Sequence, residues 1–419
     1  MTAPDTHREG NRENRDRKRP EGESRRCETR SPGKLENQEI ICISSVDWDP
    51  IWTRKQQVMS RLPKSNRILY VEPPISLLSP FKDPACWKKW RTWREGLRRW
   101  SENIYLYSPP VVLPFGNIYR PVNWLNQAWL APALRAAARA LGFKRPILWT
   151  YLPNTADLVG KLGEKLVVYD CVDEHAAYTG FRPETVNTLE QKLLKLADIV
   201  FVTARGLYEA KKPYCREIHL IPNAADVAHF RRALDPETPL APELKGLPRP
   251  VIGFVGVIQD WIDLDLIAEL ARRRPAWSFA LVGPAGPGVN LSSLQGMANV
   301  HLLGRREKEV LPSYFKGFDL CLNPFRLNKL TATVSPLKFY EYLASGKPVV
   351  SVPLPEVEPF SGAVEIARTP DEFLQKIEKA LTSEAPEQQA ARLNLAAANS
   401  WEQRVAEIMA KIATHLKEN

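Results

Sequence analysis

The chain has 419 residues, 44% hydrophobic and 25% charged, with a formal net charge of +10. That length is too great for one ordinary core and suits two domains. No run of eighteen or more apolar residues occurs, so no segment is expected to span a bilayer.

The charge favours anionic partners such as nucleotide diphosphates, acidic lipid or acidic glycans. Six cysteines (Cys27, Cys42, Cys86, Cys171, Cys215 and Cys321) are scattered without a CxxC pair. They read as reduced thiols rather than a disulfide or zinc framework. The polar N-terminus lacks an apolar signal core, which gives a cytoplasmic expectation. Residues 1–38 mix Arg with Glu and hold almost nothing apolar, the composition of a disordered charged tail.

From Glu39 the pattern changes. Apolar runs at 40–43, 68–72, 104–107, 147–151, 166–170, 199–202 and 218–221 read as buried strands. Helical stretches at 125–142 and 183–197 lie between some of them. Continuous apolar strands separated by helices predict an α/β domain over 39–235, a parallel sheet covered on both faces. Residues 236–250 are proline-rich and read as a linker. A second strand–helix series follows over 251–385, with strands at 251–256, 278–282, 300–303, 320–322 and 348–352. Residues 386–419 read as a C-terminal helical segment.

Residues 81–100 hold seven Lys/Arg against two acids, a net +5. Trp90, Trp93, Leu97 and Trp100 fall at helical spacing, with Lys89, Arg91, Arg94, Arg98 and Arg99 around them. Tryptophan and arginine at the edge of an apolar face suit an anionic membrane interface. Tryptophans packing on the domain, with charges in water, fit the same residues. No nucleic-acid module accompanies the stretch, so nucleic acid is not an expected partner.

Two constellations carry candidate chemistry. Asp170, Asp173 and His175 follow a buried strand, and groups at the C-terminal edge of a parallel sheet face the cleft. Asp173 as a helix cap, or Asp170 as an internal acceptor, are the plainer alternatives. The second constellation runs from Ser335 to Val350. Ser335 suits an N-cap, Pro336 a first helical residue, and Gly346-Lys347-Pro348 a stop. Lys338 and Glu341 share one face. The helix start offers free N–H groups, partial positive charge and a lysine, and one turn later a carboxylate. That is chemistry for a nucleotide diphosphate and its ribose. A capped amphipathic helix with an exposed Lys–Glu pair accounts for the same pattern.

Pro336-x-Lys338-x-x-Glu341-Tyr342-x-Ala344-x-Gly346-Lys347-Pro348-Val349-Val350 resembles the nucleotide-sugar motif of retaining GT-B glycosyltransferases of the family 4, or group 1, type. Asn323-Pro324-Phe325 and Ile221-Pro222-Asn223-Ala224-Ala225-Asp226 also fit. The likeness runs toward the branch that builds teichuronic-type and other bacterial exopolysaccharides. The resemblance implies two Rossmann-like parallel-sheet domains facing a cleft, with a final helix crossing back to the first domain. It also implies a metal-independent hexosyltransferase with no cofactor. Its donor would be a UDP- or GDP-linked nucleotide-diphosphate sugar, and its acceptor a glycan or lipid-linked molecule. Work on such acceptors implies peripheral contact with the inner membrane face through 81–100.

By the same resemblance Glu341 holds the ribose hydroxyls, and Gly256 lets the backbone approach phosphate. The Gly304-Arg305 turn meets the base. From their position at the sheet edge, not from the resemblance, Asp170 or Asp173 is expected to take the acceptor proton or steady the transition state, or His175 in their place. Two departures stand out. Val257-Ile258-Gln259-Asp260-Trp261 lacks the Arg and Lys that usually follow this glycine, so Arg326, Lys329 and Lys338 become the expected diphosphate clamp. Only the second of the family's two glutamates is present, because Thr333 stands eight residues before Glu341. A GT-B nucleotide-sugar epimerase and a non-catalytic GT-B scaffold remain open, as do the sugar and the oligomeric state.

Overall fold

The structure is a computed structural model, and it describes residues 35–418 apart from 83–85 and 179. The reading of residues 1–34 as a charged tail lies outside the described residues.

Two sheets carry the fold. The first contains β1 Glu39–Ile43, β2 Arg67–Val71, β3 Leu97–Arg99, β4 Ile104–Tyr107, β5 Ile147–Thr150, β6 Leu166–Cys171, β7 Ile199–Val202 and β8 Ile218–Leu220. Their spatial order is β3-β4-β2-β1-β5-β6-β7-β8. All pairings are parallel except β3 with β4. The second sheet holds β9 Val251–Val255, β10 Ser278–Val282, β11 Val300–Gly304, β12 Leu320–Asn323, β13 Val349–Ser351 and β14 Glu365–Ile366. It is parallel throughout, in the order β11-β10-β9-β12-β13-β14.

The strands are apolar on both faces because both faces are covered. In β1, Ile40 and Cys42 point into one core while Ile41 and Ile43 point into another. The period-2 alternation of a strand makes that division. The helix Arg120–Ala140 covers the second face with Leu130, Ala131, Leu134 and Ala137. The first face is covered by the C-terminal helix Trp401–Glu418. Its Trp401, Val405, Ile408 and Ile412 are buried at four-, three- and four-residue steps, one stripe of a helix. The chain therefore returns from the second sheet to complete the first core, as the family resemblance implies.

Two expectations need correction. The helix expected over 125–142 begins earlier, at Arg120. Residues 81–100 are not one helix: the helix Cys86–Glu95 stops before Gly96, whose φ is +68°, and the chain turns into β3. Leu97 then packs into the sheet core, and Arg98 pairs with Glu72 at 2.6 Å. Trp100 stacks near Trp48, 4.7 Å between centroids. The supposed tryptophan face is thus divided, and the side chains of Lys89, Trp90 and Arg91 lie outside the described residues. The proline-rich stretch packs on the second domain, with Ala241 and Leu244 buried in its core. Ala241 N–H donates to the Ser313 carbonyl at 3.3 Å.

Candidate functional site

The site forms where the C-terminal ends of β9, β10 and β11 open toward the first domain. Each strand ends in a glycine with positive φ: Gly256 at +153°, Gly283 at +151° and Gly304 at +66°. Gly256 N–H donates to the Val282 carbonyl and Gly283 N–H to the Gly304 carbonyl, both at 2.9 Å. A Cβ on Gly283 would stand 1.8 Å from the Gly256 carbonyl oxygen. Only glycine allows the strand ends to come this close, and it leaves backbone open to the cleft.

Facing these glycines is the helix Leu337–Ala344. Lys338 Nζ donates to Glu341 Oε2 at 2.8 Å, across one turn. Glu341 is almost wholly buried, and burial pushes its carboxyl above the usual range while the Lys338 ammonium pulls it back. Lys338, Glu341, Gly256, Arg305, Arg306 and Lys308 line one wall of the interdomain pocket. Ile51, Trp52 and Gln57, from the loop and helix after β1, line the other. The pocket is thus a cationic wall with one buried carboxylate, opposed by an indole.

Ser335 does not cap this helix, whose N-cap is Pro336. Instead Ser335 Oγ accepts from the Asn223 backbone N–H at 3.1 Å, and its carbonyl accepts from Asn223 Nδ2 at 2.8 Å. Ser335 therefore ties the helix start to the segment that crosses between the sheets. Arg326 is also used elsewhere. It donates to Asp265 at 2.7 Å and stands 3.5 Å from Asp263, at the start of the helix Leu264–Arg273. Lys329 is exposed on the same loop, and neither residue lines the pocket. The Thr331–Thr333 turn of that loop lies against Gly206 of the first domain.

The cations the sequence reading overlooked are Arg306 and Lys308. Arg306 is paired with Glu243 at 2.7 Å and with the Tyr314 hydroxyl. Lys308 donates to Asp226 at 2.7 Å and lies 5.0 Å from the Trp52 ring centroid. Arg61 reaches the same Asp226 at 3.2 Å and Glu402 of the C-terminal helix at 2.8 Å. Burial opposes ionisation of Asp226, yet the Lys308 hydrogen bond and the Arg61 charge hold its carboxyl below the usual range. The legible signal was the run Arg305-Arg306-Glu307-Lys308 directly after a strand-ending glycine. Arg305 itself pairs with Glu307 at 2.8 Å.

The three residues after β6 separate. Asp170 is fully buried, with both carboxylate oxygens 3.0 Å from Arg54 Nε. Arg54 Nη1 also donates to the Ile221 carbonyl at 3.0 Å. Asp170 is therefore closed in an internal ion pair, one of the plainer alternatives read from the sequence. Asp173 accepts from the Tyr178 hydroxyl at 2.6 Å. Burial raises its pKa, against the pull of the Lys55 ammonium nearby. His175 is buried with Nδ1 unpartnered, and burial lowers its pKa to about 3, so the ring is neutral near pH 7. None of the three lines the pocket.

Among the described residues, Cys171, His175 and Glu190 place ligand atoms within 4.8 Å of one another. Glu190 is already engaged by Lys211 Nζ at 2.7 Å and the Tyr169 hydroxyl at 2.7 Å. A cation there would displace or face an ammonium.

Residues 249–383 match the family described as Glycosyl transferases group 1. The chain is 27% identical over 277 residues to a protein of Bacillus subtilis (strain 168) named for teichuronic acid biosynthesis, the glycosyltransferase TuaH. That match covers 62% of this chain and 69% of the relative. In fold the chain is similar to sucrose-phosphate synthase from Thermosynechococcus elongatus, with TM-score 0.63 and 15% identity, over 91% of this chain and 98% of that one. It is also similar to an E. coli trehalose-6-phosphate protein bound with UDP-2-fluoro glucose, with TM-score 0.65 and 14% identity, over 90% and 99%. The matched domain thus lies on the second sheet, the one that carries Gly256 and faces Lys338 and Glu341, and the fold of the whole chain is that of the two-domain synthases.

Proposed function

We propose that the protein moves a sugar from a UDP- or GDP-linked nucleotide-diphosphate sugar to a glycan or lipid-linked acceptor in bacterial surface polysaccharide synthesis. The observation that carries this reading is the Lys338–Glu341 pair beside the bare backbone of Gly256 and Gly283. Glu341 accepts hydrogen bonds from the ribose hydroxyls. The helix start, Lys338 and the 305–308 turn hold the diphosphate. The polysaccharide context is supported by the teichuronic-acid name of the Bacillus relative.

In the transfer, the bond between the sugar C1 and the β-phosphate oxygen breaks, and its electron pair stays on the diphosphate. A new bond forms from the acceptor oxygen to C1, and the acceptor proton leaves to a base. Lys338 and Lys308 stabilise the charge that grows on the leaving diphosphate. Of the three candidates, none of which lines the pocket, Asp173 is favoured as base on its chemistry alone. Asp170 is neutralised by Arg54, and the depressed pKa of His175 makes it a poor proton acceptor near neutral pH. The exposed Trp87 and Trp93, with Arg94, support peripheral membrane contact through 81–100. No helix among the described residues is long and apolar enough to cross a membrane.

Single-turnover transfer of labelled sugar from UDP- and GDP-linked donors tests the proposal. Product should form with the native protein and fall about a hundredfold or more with Lys338→Ala, by analogy with removal of one oxyanion donor. Tight donor binding with no transfer to any glycan or lipid-linked acceptor would contradict it.

A further inference from the structure

The helix Arg120–Ala140 is inverted over its first half. Its buried side carries Asn123, Asn126 and Gln127, while its outward side carries Trp124, Leu125 and Trp129. The inward amides are engaged. Asn123 Nδ2 donates to Asp157 at 2.9 Å, and Asn126 exchanges hydrogen bonds with the Leu113 backbone at 2.9 Å in both directions. The outward indoles are exposed, Trp124 at 53% and Trp129 at 61%. Hydrophobic packing among the described residues does not account for them, since a surface helix ordinarily turns its apolar stripe inward.

These side chains are not scattered. Leu77, Val112, Leu113, Leu125, Ala128 and Trp129 line one apolar groove. Leu77 N–H donates to the Val112 carbonyl at 3.0 Å, which ties the two loops of the groove together. Beyond it lie the exposed Phe115 and Tyr119, whose rings are in edge contact, and Phe81 at 79% exposure beside Trp87. Residues 108–156 contain no Asp or Glu and five Lys/Arg, of which Arg120 is ion-paired with Asp157. Along the exposed side of the helix the aromatics give way to Arg135 and Arg139.

We infer that this face docks on an anionic phospholipid bilayer, with Trp124 and Trp129 in the interface and the groove receiving acyl chain. The inference deepens the membrane contact proposed above and rests on that reading, but it moves the centre from 81–100 to the helix Arg120–Ala140. Indoles prefer the headgroup boundary, aliphatic side chains enter it, and surrounding Lys/Arg hold anionic headgroups.

Flotation of the full chain with phosphatidylglycerol-containing vesicles tests it, and no donor or acceptor is needed. Native protein should float with acidic vesicles and about tenfold less with phosphatidylcholine alone. Trp124→Ser/Trp129→Ser should lose about tenfold or more of the acidic-vesicle affinity. Its melting temperature and its transfer to a water-soluble acceptor should not change. Both residues are exposed, so the fold does not depend on them. Failure of transfer in the native protein would strike the function proposed above and leave the vesicle result standing. The inference is overturned if the native protein stays unbound, or if only Trp87→Ser/Trp93→Ser abolishes binding. It is also overturned if the Trp124/Trp129 double variant floats as the native protein does while a native dimer falls apart, because the face would then join two copies.

Discussion

Lys308 Nζ lies 2.7 Å from an oxygen of Asp226, and through that carboxylate the cationic wall of the cleft is joined to the first domain. Arg61 shares the same carboxylate and carries the link on to Glu402 of the C-terminal helix. An arriving diphosphate competes with Asp226 for the lysine. Lys308→Met should therefore raise the donor KM about tenfold, the loss of one charged hydrogen bond of about 1.5–3 kcal/mol. The acceptor KM should be unchanged. Steady-state kinetics with each substrate varied in turn checks this.

Lys338 and Arg326 should separate cleanly. Lys338 lines the pocket beside Glu341, whereas Arg326 is held outside it by Asp265 and Asp263. Lys338→Ala should lower the turnover rate about a hundredfold, and Arg326→Ala should leave it within about a factor of two of native. Single-turnover rates at saturating donor provide the comparison, and equal losses in both variants would place Arg326 in the clamp.

Glu341 should cost stability in the empty protein. Burial raises its pKa above the unfolded value, so folding is favoured while the group is protonated, and that stability is lost as pH rises through the folded pKa. Glu341→Gln should thus leave the melting temperature of the ligand-free protein equal to or above native at pH 8. The difference should vanish below about pH 4, where the unfolded glutamate is also protonated. Thermal unfolding across this range checks the sign.

The return of the C-terminal helix is a packing claim. Trp401 is fully buried in the core of the first sheet. Trp401→Ala should cost about 3–5 kcal/mol, read as a lower denaturant midpoint. A change near zero would mean that the helix is not part of that core.

Twelve of the fourteen described strands were legible because a buried parallel strand leaves a continuous apolar run, and most of their ends fall within one residue of the pattern; the short edge strands Leu97–Arg99 and Glu365–Ile366 leave no such run and were not read. The helix with Lys338 and Glu341 was legible because its spacing and its Gly346 stop are local signals. What failed was long-range. The partner of Asp170 is Arg54, 116 residues away, and nothing near Asp170 announces it. Ser335 looked like a cap because capping residues are recognised by neighbours in sequence, while its true partner, Asn223, lies on another segment. The tryptophan stretch kept helical spacing past Gly96, but the left-handed turn there ended the helix. The outward tryptophans of Arg120–Ala140 escaped notice because their periodicity alone does not say which side faces the core.

The central claim is that the cleft binds a nucleotide diphosphate through Glu341 and the cations around it. Calorimetric titration of UDP and GDP into the native protein and Glu341→Ala tests it most directly. Binding of one nucleotide by the native protein, weakened about ten- to a hundredfold in the variant, is the predicted result. Equal affinity in the two proteins, or no binding of either nucleotide by the native protein, would contradict it.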